Sequence, residues 1–167
     1  RKRERERETG GMALTGCMCH STENLFSYQE TPLTRASDDF YPKDIPAQLV
    51  HLVSCSYNSV MLSEIALTDW DMFHSKHVFA EMHAAARAIS GGPVYVSDYP
   101  GNHDATLLSR IVFSDGYILR PLLPARPTVD SLFSDVMTDG DTALKIWTVN
   151  RMSSVVGVFN TQVCVCV

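Results

Sequence analysis

The pattern that most constrains the fold is an apolar strand, then acidic residues, then a helix, and it occurs three times between residues 32 and 112. Strands are predicted at 32–36, 65–68 and 93–97, the last as an apolar run typical of a strand buried on both faces. The acids that follow them are Asp38, Asp39, Asp69, Asp71 and Asp98. Strand–helix alternation favours a parallel sheet, and a parallel barrel carries its active site at the carboxyl ends of its strands. We therefore predict an α/β chain that contains part of such a barrel.

Three helices are predicted from the spacing of apolar residues. Asp44 is a good N-cap for a helix over 45–63, because apolar residues recur at helical spacing after it. A second helix, capped by Ser75, runs to the Gly91-Gly92 pair, and a third covers 104–112. Before these units, Met12–Cys19 is predicted as a buried strand and Ser21–Asn24 as a turn.

The sequence changes character after Phe113. Residues 114–117 form a turn of the hairpin type, and Pro121, Pro124 and Pro127 are expected to interrupt regular structure. Two strands follow, at 144–149 and 155–159, joined as a hairpin through 150–154. We divide the chain into a charged leader (1–11), a partial barrel (12–113), the start of an antiparallel β domain (114–162) and an apolar tail (163–167).

Charge and length limit the classes of partner. The net charge of −5 and the isoelectric point near 5.6 argue against nucleic acid as the main partner. A basic nucleic-acid arm at residues 1–11 is the alternative, which the acidic residues Glu4, Glu6 and Glu8 weaken. No apolar run is long enough to span a membrane, and the charged leader lacks the apolar segment of a signal peptide.

The cysteines indicate reduced thiols in an intracellular compartment. We predict the cytoplasm, with a plastid as the alternative. There are five, an odd number. Their C-x-C spacing, at Cys17–Cys19 and Cys164–Cys166, is shorter than that of common zinc sites.

Two pairs of residues have a spacing that would let both side chains bind one metal ion from the same helical face. His77 and Glu81 are one helical turn apart, as are His51 and Cys55. Neither pair has a third ligand at a suitable spacing, so we interpret all four as surface or packing residues. We predict no metal and no cofactor.

The chemistry of the chain is expected around Arg35 and Asp39. In an extended segment positions 35, 37 and 39 share one face, so both side chains can reach a pocket at a strand end, with Asp38 turned away. An aspartate in such a pocket can act as a general acid. A solvated turn or a structural ion pair would give the same pattern.

Several long blocks of the sequence carry a resemblance. They are RASDDFYPKD, DWDMFHSKH, AEMHAAARAISGGPVYVSDYPGNHD, ARPTVDSLFSD, ALKIW and VVGVFN. Through these blocks the chain, from Cys17 to about Gln162, resembles the plant raffinose synthase, seed imbibition protein and alkaline α-galactosidase family, which is similar to glycoside hydrolase family 36.

The resemblance implies strands six to eight of a TIM barrel, followed by part of an antiparallel β domain. It implies a retaining mechanism in which Asp39, in an R-x-x-x-D motif with Arg35, is the general acid/base, with Asp38 as the alternative acid. It places Asp71 and Met72 in the sugar pocket. Trp70 then either stacks on a sugar ring or packs at the barrel mouth.

The sequence departs from the family in one respect. A retaining mechanism needs a carboxylate nucleophile, which the family supplies from a K-x-D motif on an earlier strand, and this sequence contains no K-x-D. Two hypotheses follow. One is an α-galactosyl transferase or hydrolase acting on galactinol, sucrose or raffinose-type sugars, represented by a C-terminal fragment with an atypical leader and tail. The other is a non-catalytic sugar-binding or interaction remnant, or a truncated product without function.

Overall fold

The fold contains two small sheets of three strands each and five helices, in the residues that the computed structural model describes: 14–28, 31–118 and 120–163. In chain order the elements are β1 (Thr15–Gly16), α1 (Thr22–Phe26), β2 (Leu33–Arg35), α2 (Ile45–Leu62), β3 (Leu67–Asp69), α3 (Ala80–Ser90), α4 (Ala105–Ser109), β4 (Arg126–Pro127), α5 (Val129–Leu132), β5 (Leu144–Val149) and β6 (Ser154–Phe159).

The first sheet is parallel, with strand order β1-β2-β3. Its register pairs Leu33 with Leu67 and Arg35 with Asp69, so β2 and β3 end at the same edge. The prediction of two neighbouring parallel strands is therefore confirmed. The prediction of a buried strand over Met12–Cys19 is wrong for the described part, because β1 has only two residues and Leu14 and Met18 are exposed.

The predicted strand over 93–97 is also wrong. Only Val96 forms a β-bridge, in parallel with Phe73. Tyr95 is exposed in part and Val96 is only half-buried, so the run is not buried on both faces. The Tyr95 hydroxyl donates a hydrogen bond to Asp69. Residues 93–97 are therefore attached to the sheet mainly by a side-chain hydrogen bond and not by backbone pairing of strands.

Helix α2 confirms its prediction almost residue for residue. The Asp44 side chain accepts a hydrogen bond from the Ala47 N–H at 3.1 Å, and Pro46 lies in the first turn. The helix buries one side, which includes Leu49, Leu52 and Cys55.

Helix α3 begins later than predicted. Ser75 does not cap it, because the Ser75 hydroxyl donates to Asp98 Oδ2 at 2.6 Å and accepts from the Asp104 N–H at 2.7 Å. The helix runs from Ala80 to Ser90, and the residue after it, Gly91, has a φ of +83°, the left-handed conformation that glycine favours. Gly92 is also required, since a Cβ there would lie 2.2 Å from the Thr68 carbonyl oxygen of β3.

Two further local predictions need correction. The predicted turn at Ser21–Asn24 is the start of α1, with the Ser21 hydroxyl accepting from the Asn24 N–H. The predicted helix over 104–112 is shorter, Ala105–Ser109, although Asp104 caps it through the Leu107 N–H.

The second sheet is antiparallel, with order β4-β5-β6. The hairpin of β5 and β6 confirms the predicted pair, with Leu144 opposite Phe159 and Val149 opposite Ser154. Pro127 does not interrupt regular structure as predicted. It lies in β4, a two-residue edge strand where a missing N–H is tolerated.

One apolar core connects the two sheets. Leu52 and Cys55 of α2, Trp70 and Ala86 pack with residues of the second half of the chain, which are Ala125, Val136, Leu144, Ile146 and Phe159. A smaller cluster surrounds Phe40 and Phe73. Neither sheet closes into a barrel within the described ranges, and no helix there has the length and apolar character needed to cross a bilayer.

Candidate active site

Charged side chains converge where β2 and β3 end. Arg35 is the last residue of β2 and Asp69 the last of β3, and the two are register partners. Both side chains therefore lie at the carboxyl edge of the parallel sheet, as the sequence pattern predicted. Asp69 and Asp71 are both buried, whereas Asp39 is exposed.

The Arg35 guanidinium contacts three carboxylates. Its Nη1 lies 2.7 Å from Asp71 Oδ2 and 3.3 Å from Asp39 Oδ1, and its Nε lies 3.5 Å from Asp69 Oδ2. Burial alone would lower the pKa of Arg35, but the charges of Asp71 and Asp69 outweigh it and raise the pKa. A permanent positive charge therefore sits between two buried carboxylates and an exposed one.

Asp71 occupies a backbone conformation that is unusual for a residue other than glycine, with φ of +61°. Its N–H donates to Asp69 Oδ1 at 2.9 Å. Its own carboxylate accepts the Phe40 N–H at 2.8 Å and the Met72 N–H at 2.7 Å. The Asp71 carboxylate is thus held by two backbone donors and by Arg35.

Asp39 and Asp38 differ in how they are held. The Asp39 side chain is 55% exposed, and its contact in the site is with Arg35. Asp38 Oδ1 accepts the N–H of Asp39 at 3.1 Å. Both residues are exposed, but the Asp38 carboxylate supports the local turn, whereas the Asp39 carboxylate contacts Arg35.

Tyr95 completes the polar cluster. Its hydroxyl donates to Asp69, with 2.9 Å to Oδ2 and 3.1 Å to Oδ1, and lies 3.4 Å from Asp71 Oδ1. Burial and the neighbouring Asp69 raise the pKa of Tyr95, so the hydroxyl stays protonated and remains a donor at neutral pH.

A buried basic cluster lies directly behind Asp71. Arg87 is almost fully buried, and its Nη1 donates to His83 Nδ1 at 2.8 Å. Burial lowers the pKa of Arg87 to about 10. Burial and the charge of Arg87 lower the pKa of His51 to about 4 and that of His83 to about 2, so both imidazoles are neutral.

Trp70 has the packing role that the sequence left open, not the stacking role. Its side chain is fully buried in the core, and its indole N–H donates to the Ser59 hydroxyl at 3.0 Å. No ring face is left for a sugar. Met72 is half-buried and packs against the Phe40 and Phe73 cluster, beside Asp71.

The residues considered as metal ligands are engaged in other contacts. His77 Nε2 lies 2.9 Å from the Pro42 carbonyl oxygen, and Glu81 forms an ion pair with Arg110 at 2.7 Å. His51 and Cys55 are buried in the core, as interpreted from the sequence. No group of three or more His, Cys, Asp or Glu side chains suited to a metal ion occurs among the described residues, and Cys164 and Cys166 lie outside them.

Asp98, the acid after the third predicted strand, lies in a separate polar group. It accepts from the Ser75 N–H and hydroxyl at 2.8 and 2.6 Å and lies 3.2 Å from His103 Nδ1. Burial would raise the pKa of Asp98, but these donors outweigh it and lower the pKa. The contacts join the loop after β3 to the segment that follows Val96.

Two residues of the site, Tyr95 and Arg87, were not singled out from the sequence. Asp69 was named as an acid at a strand end but was given no role in the site. Tyr95 lay inside an apolar run and Arg87 in an amphipathic helix, where a tyrosine and an arginine have ordinary packing or surface roles. Only the tertiary structure brings these two residues to the carboxylates.

The comparisons with known proteins agree on one family. The sequence model for "raffinose synthase or seed imbibition protein Sip1" matches residues 5–166. A protein from Arabidopsis thaliana named probable galactinol–sucrose galactosyltransferase 6 is 53% identical over 146 residues, which are 87% of this chain and 20% of that protein.

Two pea proteins give similar coverage. The galactinol–sucrose galactosyltransferase of Pisum sativum is 47% identical over 83% of this chain and 18% of its own length. The stachyose synthase of Pisum sativum is 40% identical over 91% of this chain and 19% of its own length. The chain spans about a fifth of the length of these relatives, and on the family match and these identities it belongs to the raffinose synthase and seed imbibition protein family.

Proposed function

We propose that this chain supplies the general acid/base part of an enzyme that transfers or hydrolyses α-galactosyl groups of raffinose-family sugars. Asp39 is the acid/base, and Arg35, Asp71 and Met72 form part of the sugar pocket. The observation that carries the proposal is the contact of one nitrogen, Arg35 Nη1, with both the exposed Asp39 and the buried Asp71. The names of the relatives support galactinol and sucrose as the class of donor and acceptor.

In this proposal the segment corresponds to strands six to eight of a TIM barrel and to the start of the antiparallel β domain at 114–162. The parallel pairing of β2 with β3, the charges at their carboxyl ends and the parallel bridge of Val96 with Phe73 support it, with β2, β3 and the segment at Val96 as the three strands. The closing strands would come from residues outside this chain. We place the protein in the cytoplasm or a plastid.

The chemistry follows from the accessibility of Asp39. A protonated Asp39 gives its proton to the glycosidic oxygen as the bond to the galactosyl carbon breaks. The same carboxylate then takes a proton from water in hydrolysis, or from an acceptor hydroxyl in transfer. Arg35 orients the carboxylate, because its other contacts, with Asp71 and Asp69, fix the guanidinium in place.

The nucleophile is not among these residues. Asp71 is already bound by Arg35 and by two backbone N–H groups. The family nucleophile follows a lysine in a K-x-D motif, and the only aspartate adjacent to a lysine here, Asp44, caps α2. The isolated chain should therefore turn over no galactoside. Release of an aryl alcohol above the blank, lost on Asp39→Asn, would contradict this.

The test of the function is a chimera in which this chain replaces the aligned residues of the pea galactinol–sucrose galactosyltransferase. We expect galactosyl transfer from galactinol to sucrose, and its loss on Asp39→Asn. A folded chimera without activity, or one whose activity survives Asp39→Asn, would contradict the proposal. The unmodified pea protein is the control.

A further inference from the structure

One buried guanidinium binds three consecutive backbone carbonyls. Arg87 Nη2 donates to the Trp70 and Met72 carbonyl oxygens at 2.8 and 3.0 Å, and Arg87 Nε donates to the Asp71 carbonyl oxygen at 2.8 Å. The planar, forked donor set of arginine suits this arrangement, which a lysine ammonium does not reproduce. We call residues 70–72 the Asp71 turn.

No carboxylate in the described part of the chain lies within ion-pair distance of Arg87. The guanidinium is instead surrounded by neutral His83, by the rings of Phe40 and Phe73 at 5.8 and 5.5 Å, and by the carbonyls of the Asp71 turn. Burying an arginine without a carboxylate costs desolvation free energy, and the hydrogen bonds to the three carbonyls of the Asp71 turn offset part of that cost.

The Asp71 turn needs such support. Residues other than glycine disfavour positive φ, and Asp71 has φ of +61°. In this conformation the two oxygens of Asp71 receive the N–H groups of Phe40 and Met72, and Arg35 lies at 2.7 Å. A relaxed turn would move the carboxylate away from Arg35, and Arg35 in turn contacts Asp39.

We propose that Arg87 is a positioning residue for the galactosyl site, which acts by clamping the Asp71 turn and thereby setting Asp71 against Arg35. The effect of Arg87 on catalysis rests on the proposed function, whereas its stabilisation of the Asp71 turn does not. The alternative is that Arg87 only fills space in the core, with no specific effect on the turn.

Amide hydrogen exchange of the chain itself separates these readings. In Arg87→Lys, the N–H groups of Phe40 and Met72, which bond to the Asp71 carboxylate, should exchange at least about tenfold faster, the equivalent of one lost hydrogen bond to a charged group. Amides of the β5–β6 ladder should keep their protection. Uniform acceleration across the chain, or no change at Phe40 and Met72, would overturn the clamp.

The matched control is Arg110→Lys. Arg110 is an exposed arginine that pairs with Glu81 on the surface and has no contact with the Asp71 turn. It should leave both groups of amides unchanged.

A measurement on the wild-type chain covers the case in which Arg87→Lys does not fold. If Arg87 clamps the turn, the Arg87 Nε–H and the Phe40 and Met72 N–H groups should open together, with one common free energy, when exchange is followed at increasing low urea. Exchange of the Phe40 and Met72 amides by a lower-energy opening that leaves the Arg87 Nε–H protected would overturn the proposal.

The catalytic consequence is measured in the chimera with the pea protein. Arg87→Lys should lower kcat/KM for the galactosyl donor by at least about tenfold in a chimera that is still folded at the assay temperature, since Asp71 is displaced from Arg35. An unchanged kcat/KM would overturn the positioning role. A chimera that is inactive with Arg87 intact contradicts the proposed function alone, and the exchange result still decides the clamp.

Discussion

Nη1 of Arg35 lies 2.7 Å from Asp71 Oδ2 and 3.3 Å from Asp39 Oδ1, so one guanidinium nitrogen holds a buried and an exposed carboxylate together. The buried partner is fixed by backbone N–H groups, and the exposed partner is held by Arg35. The fixed pair of Asp71 and Arg35 thereby orients the exposed carboxylate of Asp39.

Arg35→Gln should destabilise the chain by about 3–5 kcal/mol, because it leaves the buried carboxylates of Asp69 and Asp71 without their counter-charge. Urea unfolding measures the loss. The control is Arg110→Gln, where both partners are exposed (64% and 79%) and the change should stay within about 1 kcal/mol. Equal losses in the two variants would show that the Arg35 contacts carry no special stability.

Asp39→Asn in the chimera should reduce activity on natural sugar donors by about 10²-fold to 10⁴-fold, because protonation of the glycosidic oxygen is lost. An aryl α-galactoside with a good leaving group needs no proton and should lose much less. The measurement compares kcat/KM for the two donors in the same variant. An equal loss with both would move the acid role elsewhere, and Asp38→Asn, otherwise the control, would become the next candidate.

Tyr95→Phe removes the hydroxyl that donates to Asp69 and reaches Asp71. A hydrogen bond to a charged group contributes about 1.5–3 kcal/mol, so the free energy of unfolding should fall by that order. The control Tyr99→Phe changes an exposed tyrosine and should have no effect. If the two variants unfold at the same urea concentration, the Asp69–Tyr95 bond is not a stabilising contact.

Acid should destabilise the chain through His51 and His83. The folded-state pKa of His51 is about 4 and that of His83 about 2, both below the unfolded value near 6.5. Below pH 6.5 the unfolded chain therefore binds protons that the folded chain does not. Stability is full above pH 6.5 and is lost as the pH falls toward 4, by roughly 3 kcal/mol for His51.

The measurement is the urea midpoint between pH 7 and pH 4. His51→Gln should make this loss shallower, since one of the two titrating groups is removed. The exposed His20→Gln is the control and should retain the wild-type dependence. A midpoint that stays constant over this range in the wild-type chain would refute the assignment.

The sequence predicted those features of the fold that depend on residues close together in the chain. Helix α2 was predicted within one residue because its cap, Asp44, and its apolar period both lie within the segment. The β5–β6 hairpin was predicted because alternating strands flank a short turn. That Arg35 and Asp39 share one face could be predicted because only four residues separate them, whereas an ion pair between them, at 3.3 Å, was one of the alternatives that the sequence left open.

The failed predictions depend on contacts between distant residues. Ser75 would cap a helix by its local pattern, but Asp98, 23 positions away, takes its hydroxyl. For Trp70 the sequence left stacking and packing open, and contacts with core residues of α2 and β5 decide for packing. Arg87 lies 16 positions from Asp71, and a single arginine in a helix gives no sign that three carbonyls surround it.

The last prediction concerns the edge of the second sheet. Within the described ranges β6 pairs with β5 alone, so its other side presents unpaired backbone N–H and C=O groups. Two β-branched side chains of the same strand, Val156 and Val158, are 57% and 62% exposed. An apolar edge strand of this kind pairs readily with another chain, and a lysine on it opposes such pairing.

We therefore expect the isolated chain to self-associate, and Val158→Lys to shift it toward the monomer. Sedimentation velocity at increasing concentration measures the distribution. Val129→Lys, on the exposed face of α5, adds the same charge away from the edge and should leave the association unchanged. A wild-type chain that remains a single monomeric species at all concentrations would show that the β6 edge does not cause self-association.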